Sequence, residues 1–226
     1  MPRPALTRDQ IVSTAVELLD EDGLEGLNMR ALGQRLNSAA TAVYWHVKNK
    51  DGLVALAGDR VWDEIRLPDV DAVGWRAAAT AMATDLHGVF TRHPWLVQAL
   101  AAHLFHGEAK ARHDDHSLAV YEAAGFTGAE ADRAAAAVFT YVLGNASGAS
   151  ATAALSRRIR REGGDPEEVF AATLKEAAEV ASRFPRLRSR VDAMSTAAVT
   201  YAEGPEDTFT FGLDALLDGL TARLPG

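Results

Sequence analysis

"NMRALGQRLNSAATAVYWHVKNKDGL", residues 28–53, reads as two short helices around a tight turn. Asn28 is a helix N-cap residue type, and Met29, Leu32 and Leu36 recur at the spacing of one helix face. Asn37 comes next, a residue that accepts the left-handed backbone a tight turn needs. A helical pattern resumes from about Ala39 to His46, with Val43 and Val47 four apart and facing inward with Leu32 and Leu36. Helix, turn and helix together make a helix-turn-helix, whose second helix enters the DNA major groove. The charge agrees: residues 28–50 hold Arg30, Arg35, Lys48 and Lys50 and no acid, a local +4. Inward valines turn Ala40, Thr41, Tyr44 and Trp45 toward DNA. Ala40 and Thr41 offer methyl groups to thymine, the Thr41 hydroxyl reaches a base edge or a phosphate, and Arg30 is the one long side chain able to grip a guanine with two hydrogen bonds. The same residues also fit an amphipathic helical cap with solvated charges, which leaves the two outward aromatics without a purpose.

Working outward, Asn49 caps a helix that carries Leu53, Leu56, Ala57, Val61 and Ile65 and is broken by Pro68 in "LPDVD". Upstream, Thr7 and Gln10 form a capping-box pair before Ile11, Ala15, Leu18 and Leu19, and Gly23 stops that helix. Its acidic end, Asp20 to Asp22, is expected to point away from DNA phosphates. These helices form a first domain, residues 1–66. Residues 67–226 form a second, with helices expected at 72–92, 95–105, 115–124, 129–160, 166–183 and 206–223, interrupted by Gly125, Gly128, "GGDP" and "EGP". Alanine dominates them, loses no side-chain entropy on folding and favours helix, and no sustained strand-like alternation competes. The fold class is all-α.

Composition sets limits on function. The 226 residues carry a formal charge of −8, and residues 67–226 hold 15 basic against 21 acidic residues. A protein that coats polyanions carries a basic excess, so any nucleic-acid site here is local. The lack of cysteine excludes disulfides, thiolate metal sites and a cysteine nucleophile, and fits a reducing cytoplasm. There is no apolar signal core near the N-terminus and no run of about 18 apolar residues, so a soluble intracellular protein is expected.

The stretch Thr7 to Leu53, and within it "YWHVKNK", resembles the DNA-binding domain of the tetracycline-repressor (TetR) family of bacterial transcription regulators. "RHPWL" at 92–96, "YEAAGF" at 121–126 and "TFGLDALLDGL" at 210–220 resemble, more loosely, the effector domain of the tetracycline repressor's own branch. One departure stands out: many members carry Gly-Val-Ser in the turn, where this chain has Asn37, Ser38 and Ala39. The resemblance implies phosphate contacts from Tyr44, His46 and Lys50, the last at a helix N-terminus that favours an anion. It implies a homodimer, with operator DNA and a small-molecule effector as partners, no resident cofactor, and cytoplasmic residence without membrane contact.

An effector pocket between helices is mainly apolar with a few polar groups. The candidate lining is Trp75, Met82, Leu86, Phe90, Trp95, Leu100, Phe139 and Leu143, with His87, His103, Thr140 and Asn145 as polar anchors. Met82 and Leu86 stand where the founding member's Asn and Phe are expected, which implies an effector more apolar than tetracycline. Helices near 129–154 and 206–223 are the expected dimer interface. The small Ala137, Gly144, Gly148 and Ala151 allow close approach, and Phe209, Leu213, Leu216, Leu217 and Leu220 give the last helix a broad apolar face.

Two constellations point elsewhere. His103, His106, His113 and His116, with Glu108, Asp114 and Asp115, have ligand spacing and would suit a metal-dependent hydrolase, the alternative to a regulator. No nucleophile, base and orienting acid accompany them at catalytic spacing, so the chain reads as no enzyme, and a mobile polar connection between helices is the preferred account of the histidines. "RRIRR" at 157–161 fits a solvated helix C-terminus remote from the first domain.

Overall fold

Side chains that close backbone hydrogen bonds set the helix starts of the first domain. In this computed structural model, which describes residues 6–38, 43, 47–194 and 208–224, Thr7 and Gln10 form the reciprocal capping box of α1 (Arg8–Gly26). Asn28 Oδ1 accepts from Ala31 N at the start of α2 (Met29–Arg35), and Asn49 Oδ1 from Gly52 N at the start of α3 (Lys50–Trp62). Asn37 has φ 48°, and the turn after α2 closes with Ser38 N–H donating to Gly33 O (2.8 Å) and Asn37 N–H to Gln34 O (3.1 Å). That bond pair is the standard way to satisfy carbonyls at a helix end with a left-handed residue. The second helix of the motif, with Ala40, Thr41, Tyr44, Trp45 and His46, lies outside the described residues apart from Val43, which is fully buried, as Val47 nearly is.

The remaining helices are α4 (Val70–Val73), α5 (Trp75–Arg92), α6 (Pro94–Ala102), α7 (Glu108–Ala124), α8 (Ala129–Arg161), α9 (Pro166–Ala181), α10 (Pro185–Met194) and α11 (Thr208–Thr221). Among the described residues there is no strand. Several boundaries differ from the sequence expectation. Gly23 (φ 70°) kinks α1 rather than ending it, and a further turn runs on to Gly26. The third helix stops at Trp62, well before Pro68, so proline is not its terminator. Gly74 (φ 80°) divides the expected 72–92 helix, α7 starts at Glu108 rather than 115, and α10 was not expected.

Packing follows the apolar faces. α1 and α3 close the small core around Ile11, Leu19, Leu32, Val43 and Leu53. α5, α6, α7 and the long α8 form the second core, with α11 on its outer side. The two cores are continuous. α1 packs on α6 and α3 on α7, so these two helices are seated on the larger unit. No helix among the described residues is long and apolar enough to cross a membrane.

Candidate functional site

The basic stretch expected to face DNA contains two free cations among its described residues. Arg30 is exposed on α2, and neither it nor Lys48 has an ion-pair partner among the described residues. Arg35 is committed elsewhere: its guanidinium makes two bonds to Glu21 on α1 (2.9 and 2.5 Å), and that pairing lowers the Glu21 pKa. Lys50 donates to the Leu24 carbonyl (2.5 Å), bracing the start of α3 against the end of α1. Arg35 therefore contributes structure, not field, to the basic stretch.

The acidic end of α1 docks on the second domain. Asp20 Oδ1 accepts from Trp95 Nε1 (2.7 Å) and from His93 Nδ1 (2.7 Å), and the other ring nitrogen of His93 faces Glu64 Oε1 (3.2 Å). Arg92 also binds Glu64 (2.6 Å). Trp95 is fully buried and His93 nearly so, while the Asp20 and Glu64 side chains stay partly exposed, so the joint is a half-buried network between α1, the segment after α3, and the start of α6. The far end of α8 reaches the same place. Arg161 pairs with Glu25 (2.8 Å), and Arg157 lies so close under the Gly23 kink that an added Cβ there would sit 2.9 Å from its Nε. "RRIRR" is thus a helix C-terminus with exposed Arg158, Arg160 and Arg161, as expected, but it is not remote from α1. Arg161 is ion-paired to the helix that carries the acids, and Arg157 packs against the bare backbone of Gly23 near those acids without a hydrogen bond to them.

His93 is a pH-sensitive element of this joint. Burial, the largest single influence, opposes its charge, but the hydrogen bond and charge of Asp20 and the charge of Glu64 outweigh burial and raise its pKa. A pKa raised by folding contributes stability that is fully present below the unfolded value, about 6.5, and lost as pH rises through the folded value. Unfolding in urea is expected to show the difference between wild type and His93→Gln greatest on the acid side and shrinking above neutrality. A constant difference across that range means that His93 is not charged in the joint.

A cavity of about 30 Å³ lies between α5, α7 and α8. Met82, Leu86 and Phe139 line it with Ala79, Ala83, Val120, Ala135, Val138 and Val142. Three polar lining residues, His113, Ser117 and Tyr121, were missed as a group, although their spacing of four on α7 is visible in "HDDHSLAVY". The other expected lining residues lie elsewhere. Trp95 serves the joint, and Phe90 packs edge-on against Trp62 (6.3 Å) in the core between α3 and α5. Trp75 borders an open groove near Gly74, Leu100 is half-buried against the core, and Leu143 likewise. Thr140 is exposed. His87 bonds Asn145 (2.9 Å) and stacks on Phe209 (4.2 Å).

The histidines diverge rather than converge. His103 faces Asp51 (3.8 Å), His106 bonds the Leu104 carbonyl, His116 bonds the Pro68 carbonyl, and His113 lines the cavity with its ring edge-on to Trp62 (6.3 Å). Among the described residues no group of three or more metal-ligand side chains occurs.

On the outer side, Leu213 and Leu217 are buried within the protomer, so the broad apolar face expected of α11 is largely its own core contact. Phe209 is likewise pinned inside, stacked between His87 and Tyr141, whose hydroxyl donates to the Phe209 carbonyl (2.9 Å). What remains open is a groove lined by Ala137, Leu216, Leu220, Ala215 and Gly219. Gly144 and Gly219 would each carry an added Cβ into empty space, Gly148 is half-buried, and Phe211 is 78% exposed.

Capped helices α1 to α3 seated on a helical body, a cavity within that body, and an ionic joint between the two fit a transcription regulator. The chain belongs to the TetR family: residues 11–57 match the model of bacterial regulatory proteins of that family, and residues 67–224 match the tetracyclin repressor-like C-terminal domain. It is 32% identical over 223 residues to the transcriptional repressor DrrR1 of Streptomyces coeruleorubidus, covering 97% of this chain and 78% of that one. A transcriptional regulator of Saccharopolyspora erythraea is 41% identical over 148 residues, which span 66% of this chain and 63% of that protein. Among solved structures, ActR of Streptomyces coelicolor in complex with actinorhodin is similar with a TM-score of 0.75 at 26% identity, covering 98% of each chain.

Proposed function

We propose that the protein is a homodimeric repressor that holds two helix-turn-helix units on a near-palindromic operator and releases it when a small, largely apolar effector enters the cavity. Residues 1–66 form its DNA-binding domain and residues 67–226 its effector and dimerisation domain. It works in the cytoplasm, where the operator is. The observation that carries the release step is the course of α8. Its Ala135 to Val142 segment walls the cavity, and fifteen residues further on Arg157 packs under the Gly23 kink of α1, with Arg161 ion-paired to Glu25 beyond it.

The cavity's size gives the mechanism its direction. About 30 Å³ is roughly the space of one water, whereas small-molecule pockets run to about 300 Å³ or more. An effector therefore enters by pushing α5, α7 and α8 apart. Movement of α7 passes through His113 to Trp62 on α3, and movement of α8 passes through its arginines to α1. Both helices carry the recognition unit, so the spacing of the two units in the dimer changes and they no longer seat together. Linkage requires the operator to weaken effector binding by the same factor, typically about 1 to 3 kcal/mol.

On the DNA side, Arg30, Ala40 and Thr41 read bases, and Tyr44, Trp45, His46, Lys48 and Lys50 hold the backbone. Arg30→Ala is expected to alter sequence preference at one position, with a cost of about 1 to 3 kcal/mol on the best operator. Lys50→Ala is expected to weaken all sequences alike and flatten the salt dependence. Titrations on operator and scrambled duplexes at several salt concentrations decide between these roles, and an Arg30→Ala protein with unchanged preference removes the guanine contact.

A further inference from the structure

The polar strip in the cavity serves neither the core nor the joint. His113, Ser117 and Tyr121 stand four residues apart on one face of α7, with about 6 Å of helix rise between successive members. The other nine lining residues are Ala, Val, Leu, Met and Phe, and none is charged. Tyr121 is 2% exposed, yet its hydroxyl has no hydrogen-bond partner among the described residues. Ser117 has none either. His113 is also buried, its Nδ1 at 3.4 Å from Asp114, which leaves Nε2 without a partner among the described residues. Buried side-chain atoms without a partner among the described residues are Trp62 Nε1 and Arg157 Nη2, so the polar atoms of this strip are unpaired without being sealed off from a molecule in the cavity. The two hydroxyls bond nothing among the described residues and are open to a bound molecule.

We propose that the effector is uncharged and mostly apolar, with hydroxyl or carbonyl groups along one edge that Tyr121, Ser117 and His113 read. This deepens the effector-release function above and rests on it. An ionised ligand would enter an apolar cavity with no countercharge on its walls. Burial raises the Tyr121 pKa and so keeps the phenol protonated, a donor to a carbonyl and an acceptor from a hydroxyl. Met82 on the facing helix supplies an adaptable apolar wall, and Ala79, Ala83 and Ala135 leave space for a flat ring once the helices part.

The test is calorimetric titration of the full-length protein with naphthalene, 1,5-dihydroxynaphthalene and naphthalene-1-sulfonate. The dihydroxy compound is expected to bind about tenfold more tightly than naphthalene, and the sulfonate more weakly than either. Tyr121→Phe should remove most of the advantage of the dihydroxy compound and leave naphthalene unchanged. Because it deletes an unpartnered hydroxyl, that variant should melt at or above the wild-type temperature and bind operator normally. Equal affinity for naphthalene and its diol, no binding of the diol, tight binding of the sulfonate, or an indifferent Tyr121→Phe would each overturn the proposal. Operator binding assayed separately keeps the two readings apart: a wild-type protein that selects the diol but ignores operator DNA contradicts the repressor function and leaves the edge recognition standing.

Discussion

Asp20→Ala is expected to lower the unfolding free energy by about 2 to 4 kcal/mol, a large share of a domain's total stability. The carboxylate accepts from two buried donors at 2.7 Å, the indole of Trp95 and the imidazole of His93. Removing it strands both, and each unpaired buried donor costs about 1 to 3 kcal/mol, more where one is charged. It also removes a countercharge from beside Arg157, whose Nη2 is buried without a hydrogen-bond partner. Asp20→Asn should cost less, because one carbonyl oxygen still accepts from Trp95. Denaturant unfolding measures both, and Trp95 fluorescence reports the joint directly. Equal losses for the two substitutions would mean that the carboxylate's charge, not its geometry, holds the joint. No loss in either would dissolve the proposed route from α8 to the helix-turn-helix.

The second large effect separates the dimer from the protomer. A Cβ added at Gly144 on α8 or at Gly219 on α11 meets nothing within 4 Å in the protomer, so the leucines of the double substitution Gly144→Leu, Gly219→Leu start into open space. Each change removes a helix-interior glycine and should stabilise the isolated protomer by several tenths of a kcal/mol. In a dimer closed through the α8 and α11 faces, the same leucines prevent close helix approach. Sedimentation is expected to show monomers, and operator affinity to fall by more than about a hundredfold, since two linked half-site contacts become one. A dimer that survives with full operator affinity would place the interface on another face. Leu217 is not a fair probe of this question, being fully buried inside the protomer.

The DNA-binding end was legible in the chain because its signals are local. Thr7, Asn28 and Asn49 cap helices through bonds to residues three positions away, and Asn37 takes the left-handed turn through its own backbone. Such effects depend on the nearest few residues and survive in any tertiary setting. The all-helical class was legible for the same reason, alanine-rich segments punctuated by glycine. Gly23 shows the limit: it was expected to stop the helix, yet with φ 70° it only kinks it, and Arg157 from a distant helix packs against that kink.

Partnership between distant residues was not legible. Trp95, Phe90 and Met82 look alike as apolar residues on neighbouring helices, yet the first serves the joint, the second the core beside α3, and only the third the cavity. Which face of an amphipathic helix meets which neighbour depends on crossing geometry over the whole body, and one sequence does not encode that separately from its apolar periodicity. The same holds for charge. Arg35 and Arg161 read as solvated cations until Glu21 and Glu25 are placed opposite them. The sequence by itself determined the family, the helical class and the capped helix-turn-helix, all consequences of short-range chemistry. The tertiary structure alone decided that the acidic end of α1 is a joint and that Tyr121 faces a cavity unpaired, because both depend on side chains brought together from far apart in the chain.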